Sequence, residues 1–254
     1  MDQSIPSEAP RFVDRWGASY RLIAPCSFVM GNAQVGAGSS ETPAHEVSIQ
    51  EPFFLGERLV TQAQWVDLMK DNPSKFQSGW SAGLRPVESV NIQEIIEFLS
   101  RLNESDMESL RFGLRGEWRL PTEAEWECAA RAGTISKWPF GDIEAELNEH
   151  AWYAGNSGGS TREVGLKKPN GWGFYDMNGL VSEWCADHWH ADYSQQRTQQ
   201  PYRKQSYDTF VIRGGSWFTE SESTRNCARS FAHESKKSDG IGFRLVWSPH
   251  EPLN

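Results

Sequence analysis

The stretch Asn170 to His190, NGWGFYDMNGLVSEWCADHWH, constrains this chain more than any other. It places three tryptophans and the acids Asp176 and Glu183 around a single Asn178-Gly179 step. Asn and Gly both accept positive φ at little steric cost, so the dipeptide predicts a tight turn. Leu180 to Trp184 then reverse direction and run into the interior. Asp176 before the turn and Glu183 after it converge on one point. Two carboxylates, with carbonyls freed by an irregular turn, form the oxygen-rich and flexible surroundings that a calcium ion accepts. The same residues admit a plainer reading, a hairpin whose tryptophans fill the core and whose acids face water.

Composition narrows the partners. The 254 residues suffice for one large domain or two small ones with a substantial core. Twelve tryptophans and 22 glycines point to a loop-rich fold held by large aromatic side chains rather than by long helices. A formal net charge of −9 argues against nucleic acid or an anionic membrane as the main partner. No apolar run approaches a spanning helix, and Met1 to Pro10 lacks the basic and apolar regions of a signal peptide. The expectation is a cytoplasmic protein. Cys26, Cys128, Cys185 and Cys227 form no CxxC pair, so neither a zinc knuckle nor a redox dithiol is written locally, and buried free thiols are expected.

Along the chain, residues 1–19 read as a loose arm and residues 20–254 as one domain. Tyr20 to Met30 alternates as strand, turn, strand, and Val47 and Ile49 mark a half-buried strand. His45 beside Glu46 reads as a surface histidine at a strand start rather than a catalytic pair. Three helix starts carry capping signals: Thr61 with Gln64, Asn91 with Glu94, and Thr122 with Glu125. Asn72-Pro73 limits the first helix. Alternate helical positions point apart, so Glu123, Glu125 and Glu127 read as caps and surface ion pairs rather than as an acid cluster.

The run RLPTEAEWECAARAG, Arg119 to Gly133, resembles the signature of the formylglycine-generating enzyme family, also called the sulfatase-modifying factor domain. Further landmarks follow in the family's order: FVMGN at Phe28, TPAHEVSI at Thr42, LVTQAQW at Leu59, RPVESVN at Arg85, NGWGFYDMNGLVSEW at Asn170, VIRGGSW at Val211 and IGFRLV at Ile241. The likeness spans roughly residues 20 to 247. It implies an α+β domain of the C-type-lectin-like type, with a small mixed sheet, two or three helices and much irregular loop.

Fold and activity are separate inferences. Family enzymes that make formylglycine use two copper-binding cysteines just after the GGS motif, because soft thiolates select monovalent copper. Here the segment reads GGSWFTESESTRNCARS, with Thr219 where the first cysteine would fall and Glu222, Ser223 and Thr224 around the second. Cys227 belongs to the later RNCARS run, so no copper is expected. The iron-binding branch of the superfamily uses an HxxxHxE motif that this sequence lacks, and His188 and His190 have no evident third ligand. For calcium the resemblance implies a structural site at Asp176, Gly179, Val181 and Glu183, although Leu180 and Ser182 replace an Asn and a Trp of the usual GNVWEW. Trp152 stands where a second calcium site of some members uses an Asn.

The superfamily also contains the variable ligand-binding proteins of diversity-generating retroelements, which display changeable side chains from this carboxy-terminal segment. By that likeness Trp217 to Lys237 is a supported loop, tied at Gly214-Gly215 and at Gly240 and Gly242. Arg225, Cys227 and Arg229 match its anchoring positions. Trp217, Phe218, Thr219, Glu220, Glu222, Thr224, Asn226, Ala228, Phe231 and His233 are the candidate contact residues. The reading is a protein that binds an unidentified protein or small-molecule ligand, in the manner of a retroelement-diversified variable protein. A metal-dependent oxidoreductase of the same superfamily is the alternative.

Overall fold

The structure, a computed structural model, describes residues 9–34, 38–194 and 208–251. Strands β1 (Arg11–Val13), β2 (Ser19–Ile23), β3 (Cys26–Met30), β4 (His45–Ile49) and β5 (Phe53–Gly56) precede helices α1 (Gln62–Met69) and α2 (Ile92–Asp106). Strand β6 (Gly116–Arg119), α3 (Glu123–Arg131) and the short α4 (Leu147–His150) follow. Strands β7 (Ser182–His188), β8 (Thr209–Arg213), β9 (Arg229–His233), β10 (Ile241–Gly242) and β11 (Val246–Pro249) complete the described elements.

One antiparallel sheet has the order β1-β2-β5-β11-β6, so the last strand sits between strands from the first half of the chain. A second has the order β10-β7-β8-β9, with β10 parallel to β7 and the other pairs antiparallel. β3 and β4 form a separate hairpin. This is the mixed α+β, C-type-lectin-like architecture that the motifs imply.

All three helix starts form the reciprocal cap: the Thr61, Asn91 and Thr122 side chains accept from the backbone N–H groups of Gln64, Glu94 and Glu125, whose side chains return to the cap. The first helix stops before Asn72-Pro73, because Lys70 turns left-handed at φ 70°. Aromatic side chains build the core. Trp65 stacks on Phe98 at 5.3 Å, and Phe243 meets both edge-on, which locks α1 and α2 against the carboxy-terminal strands.

Two expectations need correction. Part of the arm read over residues 1–19 belongs to the sheet: Arg11–Val13 pair with β2, and Phe12 stacks on Tyr20 at 5.0 Å. The apolar Phe12 side chain has a core surface to cover, and that outweighs the polar composition around it. The acids Glu123, Glu125 and Glu127 are buried rather than at the surface. Arg229 and Arg213 reach Glu123 and Glu127 from distant strands, Arg119 just before the helix pairs with Glu125, and Arg131 one turn on pairs with Glu127. Helix periodicity alone cannot show the distant partners. Among the described residues no helix is long and apolar enough to cross a membrane.

Candidate functional site

The turn after Asn170 is built differently from a simple Asn-Gly reversal. Positive φ falls on Asp176 (57°), Gly179 (125°) and Leu180 (69°), while Asn178 uses its side chain instead. Its Nδ2 donates to the Thr224 carbonyl at 2.7 Å and to Asn226 Oδ1 at 3.1 Å, both in the segment that follows Gly214-Gly215. Leu180 donates its N–H to the Trp152 carbonyl at 2.7 Å, and the Leu180 carbonyl accepts from Trp217. Residues Leu180 to Trp184 run buried into β7, and Trp184 fills the core, as the turn predicts.

Asp176 and Glu183 do not face water. Glu183 is fully buried and accepts from Arg244, whose Nε and Nη2 each lie 2.9 Å from a carboxylate oxygen. Asp176 Oδ2 accepts from the Gly165 N–H at 2.7 Å, but its buried Oδ1 has no hydrogen-bond partner. Burial pushes the Asp176 carboxyl up to about 6; Arg244 and Arg58 pull it down, and Glu183 adds to the rise. Each oxygen of an ionised carboxylate carries two lone pairs, so Glu183 retains acceptor capacity beyond Arg244. An orphaned buried anion next to a second carboxylate is the arrangement a divalent cation relieves. The unpartnered Asp176 Oδ1 and the spare lone pairs of Glu183 suit a hard cation.

The carboxy-terminal segment is fixed at both ends. Gly214, at φ 92°, has no room for a side chain, because a Cβ there would lie 2.8 Å from the Met177 carbonyl. At Gly242 a Cβ would lie 2.5 Å from the Val87 carbonyl. Between these ends the anchors are ion pairs. Arg225 Nη1 and Nη2 each lie 2.8 Å from a Glu41 oxygen, and Arg229 Nε and Nη2 lie 2.6 and 2.8 Å from the two oxygens of Glu123. Arg213 extends the network, reaching Glu127 and the Cys227, Ala228 and Asn226 carbonyls. Glu127 also accepts from Arg131 at 2.7 Å. Sequence reasoning found Arg225 and Arg229 as anchors but missed Arg213, whose partners lie on α3 and in the segment itself.

The ten candidate contact residues divide into three groups. Phe218 (48% exposed), Glu220, Glu222, Phe231 (53%) and His233 are exposed; Trp217 and Thr219 are half-buried. Thr224, Asn226 and Ala228 are buried, at 0%, 0% and 8%, and are not contact positions. Their polar atoms serve the frame. Thr224 Oγ1 accepts from the Trp138 indole N–H at 3.0 Å and donates to the Ser221 carbonyl at 2.7 Å, and Asn226 accepts from Asn178. Ala228 lies where its own carbonyl accepts from Arg213. A polar loop composition conceals such residues, because their partners are far away in sequence.

The segment lacks a thiol pair. Thr219 Oγ1 accepts from the Ser216 N–H at 2.8 Å and donates to the Ser216 carbonyl at 3.1 Å, forming a local turn. Cys227 is buried beside Glu41, with its Sγ 3.4 Å from that carboxylate and 3.0 Å from Arg225 Nη1. Burial and the Glu41 charge push the Cys227 thiol up to about 11, so it is protonated at neutral pH. The His188 ring packs on Phe210 at 4.3 Å, and His45 Nδ1 lies 3.0 Å from the Pro43 carbonyl. Among the described residues no group of three or more His, Cys, Asp and Glu is placed to hold a metal ion.

Comparison with known proteins agrees with this fold. The structure of variable protein 1 from Treponema denticola matches with a TM-score of 0.81 at 32% identity, covering 91% of this chain and 95% of that one. PvdO from Pseudomonas aeruginosa matches with a TM-score of 0.81 at 25% identity, covering 96% and 100%. The formylglycine-generating enzyme of Thermomonospora curvata is 34% identical over 151 residues, 52% of this chain and 50% of the relative. The chaperone protein LppX of Paenibacillus barcinonensis is 32% identical over 182 residues, 55% and 63%. The alignments thus reach a half to under two thirds of the length of these two curated relatives. Residues 17–249 match the sulfatase-modifying factor enzyme 1-like domain, and the chain belongs to that family.

Proposed function

We propose that this protein binds a partner protein through the exposed side chains of its carboxy-terminal segment and does not generate formylglycine. The observation that carries this reading is the state of the segment after Gly214-Gly215. Thr219 is engaged in a turn, and Cys227, the sole cysteine between Gly214 and Ser230, is protonated and tied to Glu41 and Arg225. What remains is a rigid frame presenting Phe218, Glu220, Glu222, Phe231 and His233. Phe231 and His233 project from β9, an edge strand of its sheet among the described residues. Side chains held on a rigid frame lose less entropy on binding than those on a free tail, and aromatic side chains among charges suit a protein surface. The likeness to a variable protein, at 32% identity over most of both chains, supports the same reading.

A structural calcium ion at Asp176 and Glu183 belongs to this proposal. Calcium would supply the positive charge that the orphaned Asp176 Oδ1 lacks, and so brace the turn that holds Thr224 and Asn226 through Asn178.

The enzymatic part is tested by incubating the purified protein, with and without added monovalent copper, with a CxPxR peptide. Mass spectrometry is expected to show the peptide unchanged. Conversion of the cysteine to an aldehyde would refute the proposal and favour a metal-dependent oxidoreductase.

A further inference from the structure

Two cysteines far apart in sequence meet in the fold. Cys26 opens β3 and Cys128 lies within α3; their sulfurs are 3.4 Å apart across a sequence separation of 102 residues. A disulfide has sulfurs about 2.05 Å apart, so small side-chain adjustments suffice to close one. Access is asymmetric. Cys26 is half-buried and follows the exposed pair Ala24-Pro25, whereas Cys128 is 2% exposed. A cavity of about 300 Å³ is lined by Cys128 and by Ser27, Phe28, Arg131 and Trp172 among others. Cys185 is buried in β7, and Cys227 is committed to Glu41 and Arg225.

We propose that Cys26 and Cys128 form a redox-active dithiol, oxidised to an intramolecular disulfide by exchange with a low-molecular-weight disulfide of the glutathione class. The more accessible thiol acts first. The Cys26 thiolate attacks one sulfur of the small disulfide; that S–S bond breaks, a Cys26–S–S–R bond forms, and one small thiolate leaves. Cys128 then attacks Cys26 Sγ, and its proton passes to the second small thiolate as that group is expelled. Two protein thiols have given up two electrons and two protons, and one small disulfide has become two thiols. The hydrogen bond from Cys128 lowers the Cys26 thiol, while that bond, burial and the nearby carboxylates of Glu127 and Glu125 raise Cys128, which gives the same order of attack. The product staples the β3–β4 hairpin to α3. Because it closes a loop of about a hundred residues, it restricts the unfolded chain and raises the melting temperature.

The test equilibrates the full chain in buffers of varied reduced to oxidised glutathione ratio, then acid-quenches it, denatures it and alkylates it with N-ethylmaleimide. Intact mass is expected to show two of the four thiols lost together without a glutathione adduct, and peptide mapping to join Cys26 to Cys128. The oxidised form melts higher, by on the order of 10 °C. Cys26→Ser abolishes the two-thiol loss, and Cys128→Ala accumulates a glutathione mixed disulfide on Cys26. Four alkylated thiols at every ratio, or a disulfide mapped to another pair, overturns the proposal. If Cys128→Ala does not fold, wild type and Cys26→Ser decide the matter between them.

Discussion

Arg244 and Glu183 form a bidentate ion pair, Nε to Oε2 and Nη2 to Oε1 at 2.9 Å each, with neither side chain exposed to solvent. Arg244 also donates to the Gly56 and Tyr175 carbonyls at 2.8 Å, so one side chain joins β5, the turn and the residues before β11. In excess chelator, Arg244→Met leaves the Glu183 charge buried and uncompensated, and a loss of about 3–5 kcal/mol is expected in urea unfolding at pH 7. The double variant Glu183→Gln with Arg244→Met recovers part of that loss, because the stranded charge is gone. Additive losses would show that the two residues are not coupled.

Calcium and pH act through Asp176. Binding only the folded state, calcium at a hundredfold excess over its dissociation constant contributes about 2.7 kcal/mol, so excess chelator is expected to lower the melting temperature. In chelator the Asp176 carboxyl titrates near 6 when folded, against an ordinary value of 3.8. An acid raised in the folded state contributes stability that is complete below its unfolded value and lost as pH rises through its folded value. The chelated protein should therefore lose stability between about pH 4 and pH 6, by on the order of 3 kcal/mol from Asp176. Asp187, pushed up to about 7 by burial and by Glu123, acts in the same direction, so the difference between wild type and Asp176→Asn isolates Asp176. A chelator-insensitive melting temperature with no bound calcium by elemental analysis removes the site.

Within the carboxy-terminal segment, buried and exposed positions should separate sharply. Thr224→Ala strands the buried Trp138 indole N–H and is expected to cost about 1–3 kcal/mol. Alanine at Phe218, Glu220, Glu222, Phe231 or His233 should cost less than about 0.5 kcal/mol each. Thermal denaturation of the single variants measures both. Equal costs in the two groups would show that the division by burial is wrong.

The fold was legible because its signals are local. Thr61, Asn91 and Thr122 each cap a helix with a partner three residues on, and Val47 and Ile49 alternate on a strand. The anchors were legible where they rest on a motif: Arg225 and Arg229 tie the segment to Glu41 and Glu123, as their positions implied. Long-range pairing was not legible. Glu123 looked solvated until Arg229 met it from 106 positions away, and Asn226 looked like a loop residue until Asn178 met it from 48 away. Cys26 and Cys128 carry no local signal at all. A sequence shows which side chains are polar, but their depth depends on partners that only the fold brings together.

The central claim, that the exposed side chains of the carboxy-terminal segment form a protein-binding surface, is tested most directly by selecting a displayed random-peptide library on the wild-type protein. Selected clones are then measured against the variant carrying alanine at Phe218, Glu220, Glu222, Phe231 and His233. The account predicts that most clones lose at least about tenfold in affinity, roughly 1.4 kcal/mol, while the variant melts within a few degrees of wild type. Clones that bind both proteins equally, or a variant that fails to fold, would contradict it.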